Sequence, residues 1–498
     1  MRTLRTLLAF IALGCVAQGH VGSPDIYVDA KAGPYQLFVT IRPPMVVPGL
    51  AELEIRSESP GIRELRAVPL PLSGPGARFA PVPDLLKVSS LDSHFFTGSL
   101  WMMATGSWKV LITVDGAQGR AVLAIPVPSA PLTTKKMQLQ LGLLLSVVGL
   151  FLIGGLVAMS GASIREAKLS PGTVPETEAR RRARIGMSIA FVIVIGAVWG
   201  GNAWWNSEAS SYSRNVYKPL QMSASLIGTV LTLNLSDPGW LKPLPGRIPL
   251  FTRKMDDLIP DHDHLMHLYM LRQPSLDVLY HLHPNLVDTG VFRLDLPTMA
   301  AGTYNLYADI VHATGFPETL VAKVSLPKIT GRPLSGDDAS GAAKPWPQLS
   351  SPTSSRLPDG YTMEWLRPAE QMHAKEPLLF RFQLKRPDGT APLDMALYMG
   401  MLGHAAFVKT DGTVFAHIHP TGTVSMAAFM LAQQRSAGAP MAGGMDMPGM
   451  DHENTAQPAF PNEVSFPYGF PSPGRYRIFV QMKHGQTIET GTFDANVI

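Results

Sequence analysis

The chain predicts a mainly β fold: three immunoglobulin-like β-sandwich modules, with a two-helix transmembrane hairpin between the first and second. Three observations carry that expectation. First, 44 prolines and 45 glycines in 498 residues break the sequence into short alternating or apolar runs, as strands and turns require. Second, one strand pattern recurs as GSWKVLITVDG (106–116), GTYNLYADIVH (302–312) and GRYRIFVQMKH (474–484), each with glycine before an aromatic two positions on. Third, two apolar segments are each long enough to cross a bilayer, which takes roughly 20 residues.

Taken in order, residues 1–19 read as a signal peptide: Arg2 and Arg5, an apolar stretch through Val16, then small residues at Ala17 and Gly19. Cleavage there leaves His20 first and removes Cys15, the only cysteine, so the exported chain forms no disulfide. The rival reading makes ALGC a lipobox with Cys15 acylated. Residues 20–132 form the first module, whose YQLFVTI, LAELEIRS, WKVLITVDG and AVLAIPV runs are strand-like. Helix 137–160, loop 161–184 and helix 185–205 make the hairpin. Arg165, Lys168, Arg180, Arg181, Arg182 and Arg184 put that loop in the cytoplasm by the positive-inside rule, and Trp199, Trp204 and Trp205 suit the outer interface. Lys135 and Lys136 on the other side oppose the rule weakly, and a buried core helix is the alternative for either segment. This predicts a bacterial inner-membrane protein anchored in the lipid bilayer, with its large domains in the periplasm. Residues 222–328 make a second module, 329–359 a Pro/Ser/Gly linker expected to be extended and mobile, and 360–498 a third module.

Net charge is only +4, which gives no reason to expect a nucleic-acid partner. No nucleotide-binding glycine loop, HExxH helix or GxSxG elbow is present. The chemistry lies in histidine. YHLHP (280–284) and AHIHP (416–420) each place two imidazoles at i and i+2, hence on one side of a strand. In GHAAFVKTDGTVFAHIHP, Asp411-Gly412 signals a two-residue hairpin. A turn there sets Thr410 opposite Thr413 and His404 opposite His419, with His417 on the same face. In HLMHLYMLRQPSLDVLYHLHP, a turn centred near Ser275 sets His267 opposite His283, joined by His281. His312 and His484 end matching strands and are expected to approach their own trios. His262 and His264 in DHDHLMH extend the second-module set.

Imidazole clusters of this kind suit Cu(II), Zn(II) or Ni(II), with copper bound most tightly. The plain alternative is a polar strand edge hydrogen-bonded to turns. APMAGGMDMPGMDHEN gathers Met441, Met445, Met447, Met450 and His452 in a glycine-rich insertion, where thioethers would prefer Cu(I). The alternative there is a loop with incidental methionines. Met399 and Met401 in YMGMLGH add soft ligands or pack. His94 and His373 stand alone and read as structural.

The GH…DG…F.H.HP hairpin followed by G.Y.....Q..H resembles the YtkA-like and CopC-like periplasmic modules, small β-sandwiches associated with copper. AGPYQLFVTIRPP in the first module also looks like a YtkA-like domain. The resemblance implies copper as the metal and His20 as a ligand in a mature N-terminus, although the first module lacks the other histidines. The expected function is copper sequestration or delivery to a periplasmic or membrane copper-handling protein, without catalysis. Two alternatives stay open: an exported copper- or zinc-dependent enzyme, and a structural or assembly protein with incidental or pH-sensing histidines.

Overall fold

The computed structural model describes residues 24–73, 80–135, 137–170, 172–240, 253–347, 353–367, 371–434 and 460–498. The signal peptide, His20 and the methionine tract with Met441, Met445, Met447, Met450 and His452 lie outside the described residues. The described chain is mainly β and divides into two units, Pro131–Tyr217 and the rest.

The Pro131–Tyr217 unit is a helical hairpin: α1 (Leu139–Glu166) and α2 (Thr177–Arg214), both long and apolar enough to cross a membrane. Its ends meet where the Tyr217 amide donates to Pro131 O at 2.8 Å. Both helices run past the apolar segments expected to form them. Arg180, Arg181, Arg182 and Arg184 belong to the first turns of α2, not to a loop, and the connection shrinks to 167–176. Arginine is a good helix former, so α2 extends through the charged run.

The described residues of the other unit form six antiparallel sheets. The first facing pair sets Ile26–Ala32, Tyr35–Arg42, Gly49–Ser57, Phe95–Met102 and Lys87–Val88, in that order, against Asp84–Leu85, Ile62–Pro71, Gly106–Gly116 and Gly119–Ser129. Inward residues such as Leu37, Val39, Ile55, Leu65, Ile112 and Ile125 share its core. In the second pair, Gln221–Ile227, Val230–Ser236, Val291–Asp295 and Asn285–Asp288 face Pro317–Leu326, Gly302–Val311, His267–Gln273, Val278–Leu282 and Ala339–Ala342. The third opposes Ser354–Arg356, Thr362–Trp365, Leu378–Lys385 and Glu463–Tyr468 to Met395–Ala396, Gly474–His484, His404–Lys409 and Phe415–Ile418, with Thr487–Val497 also on Gly474–His484.

The recurring strand pattern has one physical basis at all three places. Gly106, Gly302 and Gly474 start their strands at φ 141, 154 and 140, where a side chain is disfavoured. The aromatic two residues on then donates to a carbonyl four residues upstream of itself. Trp108 Nε1 bonds Ala104 O at 2.9 Å, Tyr304 Oη bonds Ala300 O at 2.9 Å, and Tyr476 Oη bonds Ser472 O at 2.7 Å.

The second and third sheet pairs join through faces that a lone sandwich would leave in water. Tyr269, Leu271 and Leu279 point away from their own core, as do Ala406, Val408, Phe415 and Phe479 from theirs, and these side chains form one buried cluster with Leu276 and Tyr307. Phe415 stacks on Tyr307 at 4.3 Å and 4°. Burial of each large apolar side chain contributes roughly 1.5–3 kcal/mol, so the contact is substantial. Fully buried Arg477 crosses it, donating to Leu276 O at 2.6 Å and Lys344 O at 3.0 Å while its Nε bonds Asp494 Oδ1 at 3.0 Å.

The segment expected to be a mobile linker is partly built into this contact. Ala339–Ala342 pairs with Val278–Leu282, and Met299 bridges Ile329. The first sheet pair clamps the loop after His419: Thr423 N donates to Tyr27 O at 3.0 Å and Asp29 N to Thr421 O at 3.0 Å. Helix α3 (Met426–Gln434) follows, and its Met426 and Phe429 enter the first core.

Candidate metal centre

Both histidine hairpins have the register their turns imply. Leu268 pairs Leu282 and Tyr269 pairs His281, which sets His267 opposite His283. Ala405 pairs Ile418 and Ala406 pairs His417, which sets His404 opposite His419. Because the histidines alternate with core residues, all six face the contact between the second and third sheet pairs.

There they meet in one chamber. His267, His281 and His283 have ring centroids 4.7–5.3 Å apart. A second triangle, with sides of 5.0–5.1 Å, contains His404, His419 and His262. His262 comes from the second sheet pair, so this triangle draws on both. His417 lies between the two sets, 4.5 Å from His419, 5.5 Å from both His404 and His267, and 5.7 Å from His281. His264 stacks on His283 at 3.8 Å, with its side chain 27% exposed.

His262 and His264 reach the chamber through a tight turn. Asp261 and His264 exchange backbone hydrogen bonds at 2.9 and 3.0 Å, and the intervening His262 and Asp263 sit at φ 47 and 67. Left-handed conformations at two successive non-glycine residues store strain, a feature concentrated at functional sites. A matching turn, Tyr398 to Met401, has Met399 at φ 50 and Gly400 at φ 75. His262 hydrogen-bonds the Met399 backbone, so the turns touch. Met401 packs into the first core instead of facing the chamber.

Five of the rings have their outer nitrogen engaged, and His404 is the exception. His267 Nε2 meets Asp261 O at 3.0 Å, His281 Nδ1 meets Gln481 Oε1 at 2.9 Å, and His283 Nδ1 meets Asp338 Oδ1 at 3.1 Å. His417 Nδ1 meets Asp309 Oδ2 at 3.2 Å, and His419 Nδ1 meets Val424 O at 3.1 Å. These acceptors hold the N–H outward and leave a lone pair facing in, the arrangement that orients metal-binding imidazoles. The inward Nε2 atoms of His262, His283, His417 and His419, and both nitrogens of His404, are buried without a hydrogen-bond partner among the described residues. His267 Nδ1 and His281 Nε2 face each other at 3.1 Å. With both outer nitrogens donating, two lone pairs oppose each other there, which calls for a cation or proton between them.

Burial, with neighbouring imidazoles second, holds His267, His281, His404 and His417 well below the ordinary imidazole value. Burial pushes His419 down to about 3. Burial likewise raises Asp309, the partner of His417, to about 7. The rings are therefore neutral at physiological pH and able to donate to a metal.

His312 and His484 do not join the trios. Their strands place them on the core-facing side with Tyr304, Leu306, Ala308 and Ile310, and with Tyr476, Ile478, Val480 and Met482, whereas the trios lie on the opposite face. His312 bonds Asp257 Oδ1 at 2.6 Å and buried Glu318 Oε2 at 3.0 Å, and Arg253 reaches Glu318 at 2.6 Å. His484 lies among Asp359, Asp394 and Glu489. Sequence reasoning missed the acceptors Asp261, Asp309, Asp337, Asp338 and Gln481. It also missed Tyr269, whose ring stacks on His281 at 4.1 Å and whose hydroxyl is buried without a partner among the described residues. The GDD acids at 337–338 in the apparent linker were the available signal.

A family model described as a domain of unknown function (DUF8832) matches residues 355–498. No curated protein matches the chain. Among solved structures, dimeric latent PorU from Porphyromonas gingivalis is similar at 8% identity and TM-score 0.13, over 91% of this chain and 32% of that one. This chain thus spans about a third of PorU. The ICAM-5 D1-D4 ectodomain fragment is similar at 8% identity and TM-score 0.15, covering 94% and 77% of the two chains. Alpha-2-macroglobulin of E. coli is similar at 11% and 0.16, covering 93% and 25%. Likenesses this weak carry no argument about function.

Proposed function

We propose that this chain is a membrane-anchored copper-binding protein whose second and third β-sandwiches enclose a multinuclear centre. The three sheet pairs are read as copies of one immunoglobulin-like module, supported by the glycine and aromatic device shared at Gly106, Gly302 and Gly474. The hairpin anchors the chain in the inner membrane with the modules in the periplasm.

The observation that supports the metal reading is the set of buried inward imidazole nitrogens, with His267, His281, His283, His417 and His419 each backed by an outer acceptor and His404 unbonded at both nitrogens. His267, His281 and His283 would hold one ion, and His262, His404 and His419 another, with His417 placed to serve either. An all-imidazole donor set suits copper and zinc, and copper binds more tightly at equal geometry. Copper would supply one-electron redox chemistry; the protein's own contribution is neutral, oriented, largely buried imidazoles. Enclosure between two sandwiches favours long retention, hence sequestration, over rapid delivery to a partner. A second reading, a copper enzyme, is favoured by one observation: the Tyr269 hydroxyl close to the centre, unbonded among the described residues, at a place where packing alone would suit phenylalanine.

The test is X-ray absorption at the copper edge on the full chain in detergent, loaded with Cu(II). Imidazole scattering that diminishes in His281→Ala and in His404→Ala supports the proposal. Absence of bound copper, or a spectrum unchanged by both substitutions, refutes it.

A further inference from the structure

A second cluster lies on the other face of the Gly474–His484 strand. His484 ends that strand; the chain turns at Gly485, φ 51, and returns along Thr487–Val497 with Glu489 opposite Met482. Asp359 arrives on the turn before Thr362–Trp365, where its Oδ1 accepts from Tyr361 N at 3.0 Å. Asp394 precedes Met395, the residue paired with His484. His484 Nε2 then lies 3.3 Å from Asp359 Oδ2 and 3.6 Å from Glu489 Oε1, with Nδ1 3.5 Å from Asp394 Oδ2. Tyr361 stacks on the imidazole at 4.2 Å and 14°, fixing its plane.

A plain ion-pair cluster does not account for this geometry. His484 is 8% exposed and Glu489 4%, and His484 Nε2 makes no well-formed hydrogen bond to either carboxylate it faces. Three carboxylates surround one imidazole, and burial, with a hydrogen bond to Asp359, raises Glu489 to about 7, so a proton and a cation compete for these oxygens. None of the three pairs with lysine or arginine among the described residues. Glu489 is the buried anion of the three, Asp359 and Asp394 being exposed, and a cation held between it and His484 removes the cost of its burial.

We propose that Asp359, His484 and Glu489, with Asp394 at the rim, bind a divalent cation of the manganese or zinc class, separately from the histidine chamber. One imidazole with several carboxylate oxygens is a harder donor set than the chamber, which favours such ions over Cu(I). The ion would tie together the Asp359 turn, the Asp394 turn and the hairpin at Gly485. None of these residues lines the chamber, so the site does not depend on the copper reading.

The experiment titrates the full chain in detergent with Mn(II), following the six-line signal of free Mn(II) by electron paramagnetic resonance. Wild type should take up Mn(II), and Asp359→Asn and Glu489→Gln should each weaken uptake at least about tenfold. His417→Ala, in the chamber, should leave it unchanged. Asp359 sits on a partly exposed turn, and an unaltered circular dichroism spectrum and melting curve of Asp359→Asn without metal would show that it folds. No Mn(II) uptake by wild type, or uptake that persists in both carboxylate variants, overturns the proposal; so does loss in His417→Ala equal to that in Asp359→Asn.

Discussion

Acid should destabilise the metal-free protein sharply, and the chamber sets the size of the effect. His419 is 2% exposed and its pKa falls from an unfolded value of about 6.5 to about 3 on folding. Between those values the unfolded chain binds more protons, so stability is lost as pH falls below about 6.5. At pH near 5 this one residue costs about 2 kcal/mol. His267, His281, His404 and His417 are depressed in the same direction by the same cause, burial. Since domains are stable by only about 5–15 kcal/mol, a few such groups remove most of the margin. Bound copper requires the unprotonated rings, so loading should delay the loss to lower pH. The assay is thermal melting of the full chain in detergent, with and without Cu(II), near pH 7.5 and near pH 5. The metal-free melting temperature should drop markedly at the lower pH, and His419→Gln should recover part of the drop. Identical metal-free melting at both pH values would refute the reasoning.

Phe415→Ala removes the ring stacked on Tyr307 and should cost roughly 3–5 kcal/mol, read by denaturant unfolding, with the joint between second and third sheet pairs becoming protease-sensitive. A Thr173→Cys probe in the hairpin connection should be shielded from an impermeant thiol reagent in intact cells, whereas Ser335→Cys should react; the reverse pattern would overturn the proposed orientation. Deleting residues 440–452 should remove Cu(I) capacity that survives mild acid, because thioethers need no deprotonation, while leaving Cu(II) binding by the chamber intact. Equal Cu(I) capacity in both proteins, measured by chelator competition, would make that tract a linker only.

Much of the site is legible in local sequence because hairpin register follows from turn position and side-chain parity. His404 opposite His419 and His267 opposite His283 needed nothing else. The long-range facts were less accessible. His312 and His484 end the right strands on the wrong faces, since parity within Gly302–Val311 and Gly474–His484 does not fix which face the neighbouring hairpin shares. The meeting of two sandwiches left a readable trace: HLYMLRQ, VLYHL, HAAFVK and FAHI carry apolar residues on both faces, as strands buried on two sides do. The Asp337 and Asp338 pairings were hidden by a composition that otherwise reads as linker.

The central claim is that both histidine sets share one chamber, and spin counting against copper content tests it most directly. The full chain would be loaded with Cu(II) and dialysed, then total copper compared with the spins visible by electron paramagnetic resonance. A multinuclear chamber predicts two or more copper ions per chain with magnetic coupling, seen as missing or broadened signal. It also predicts that His417→Ala disturbs the whole signal, because that ring lies between the two sets. A single copper per chain, or a spin count equal to copper content with an isolated-site spectrum, would contradict it.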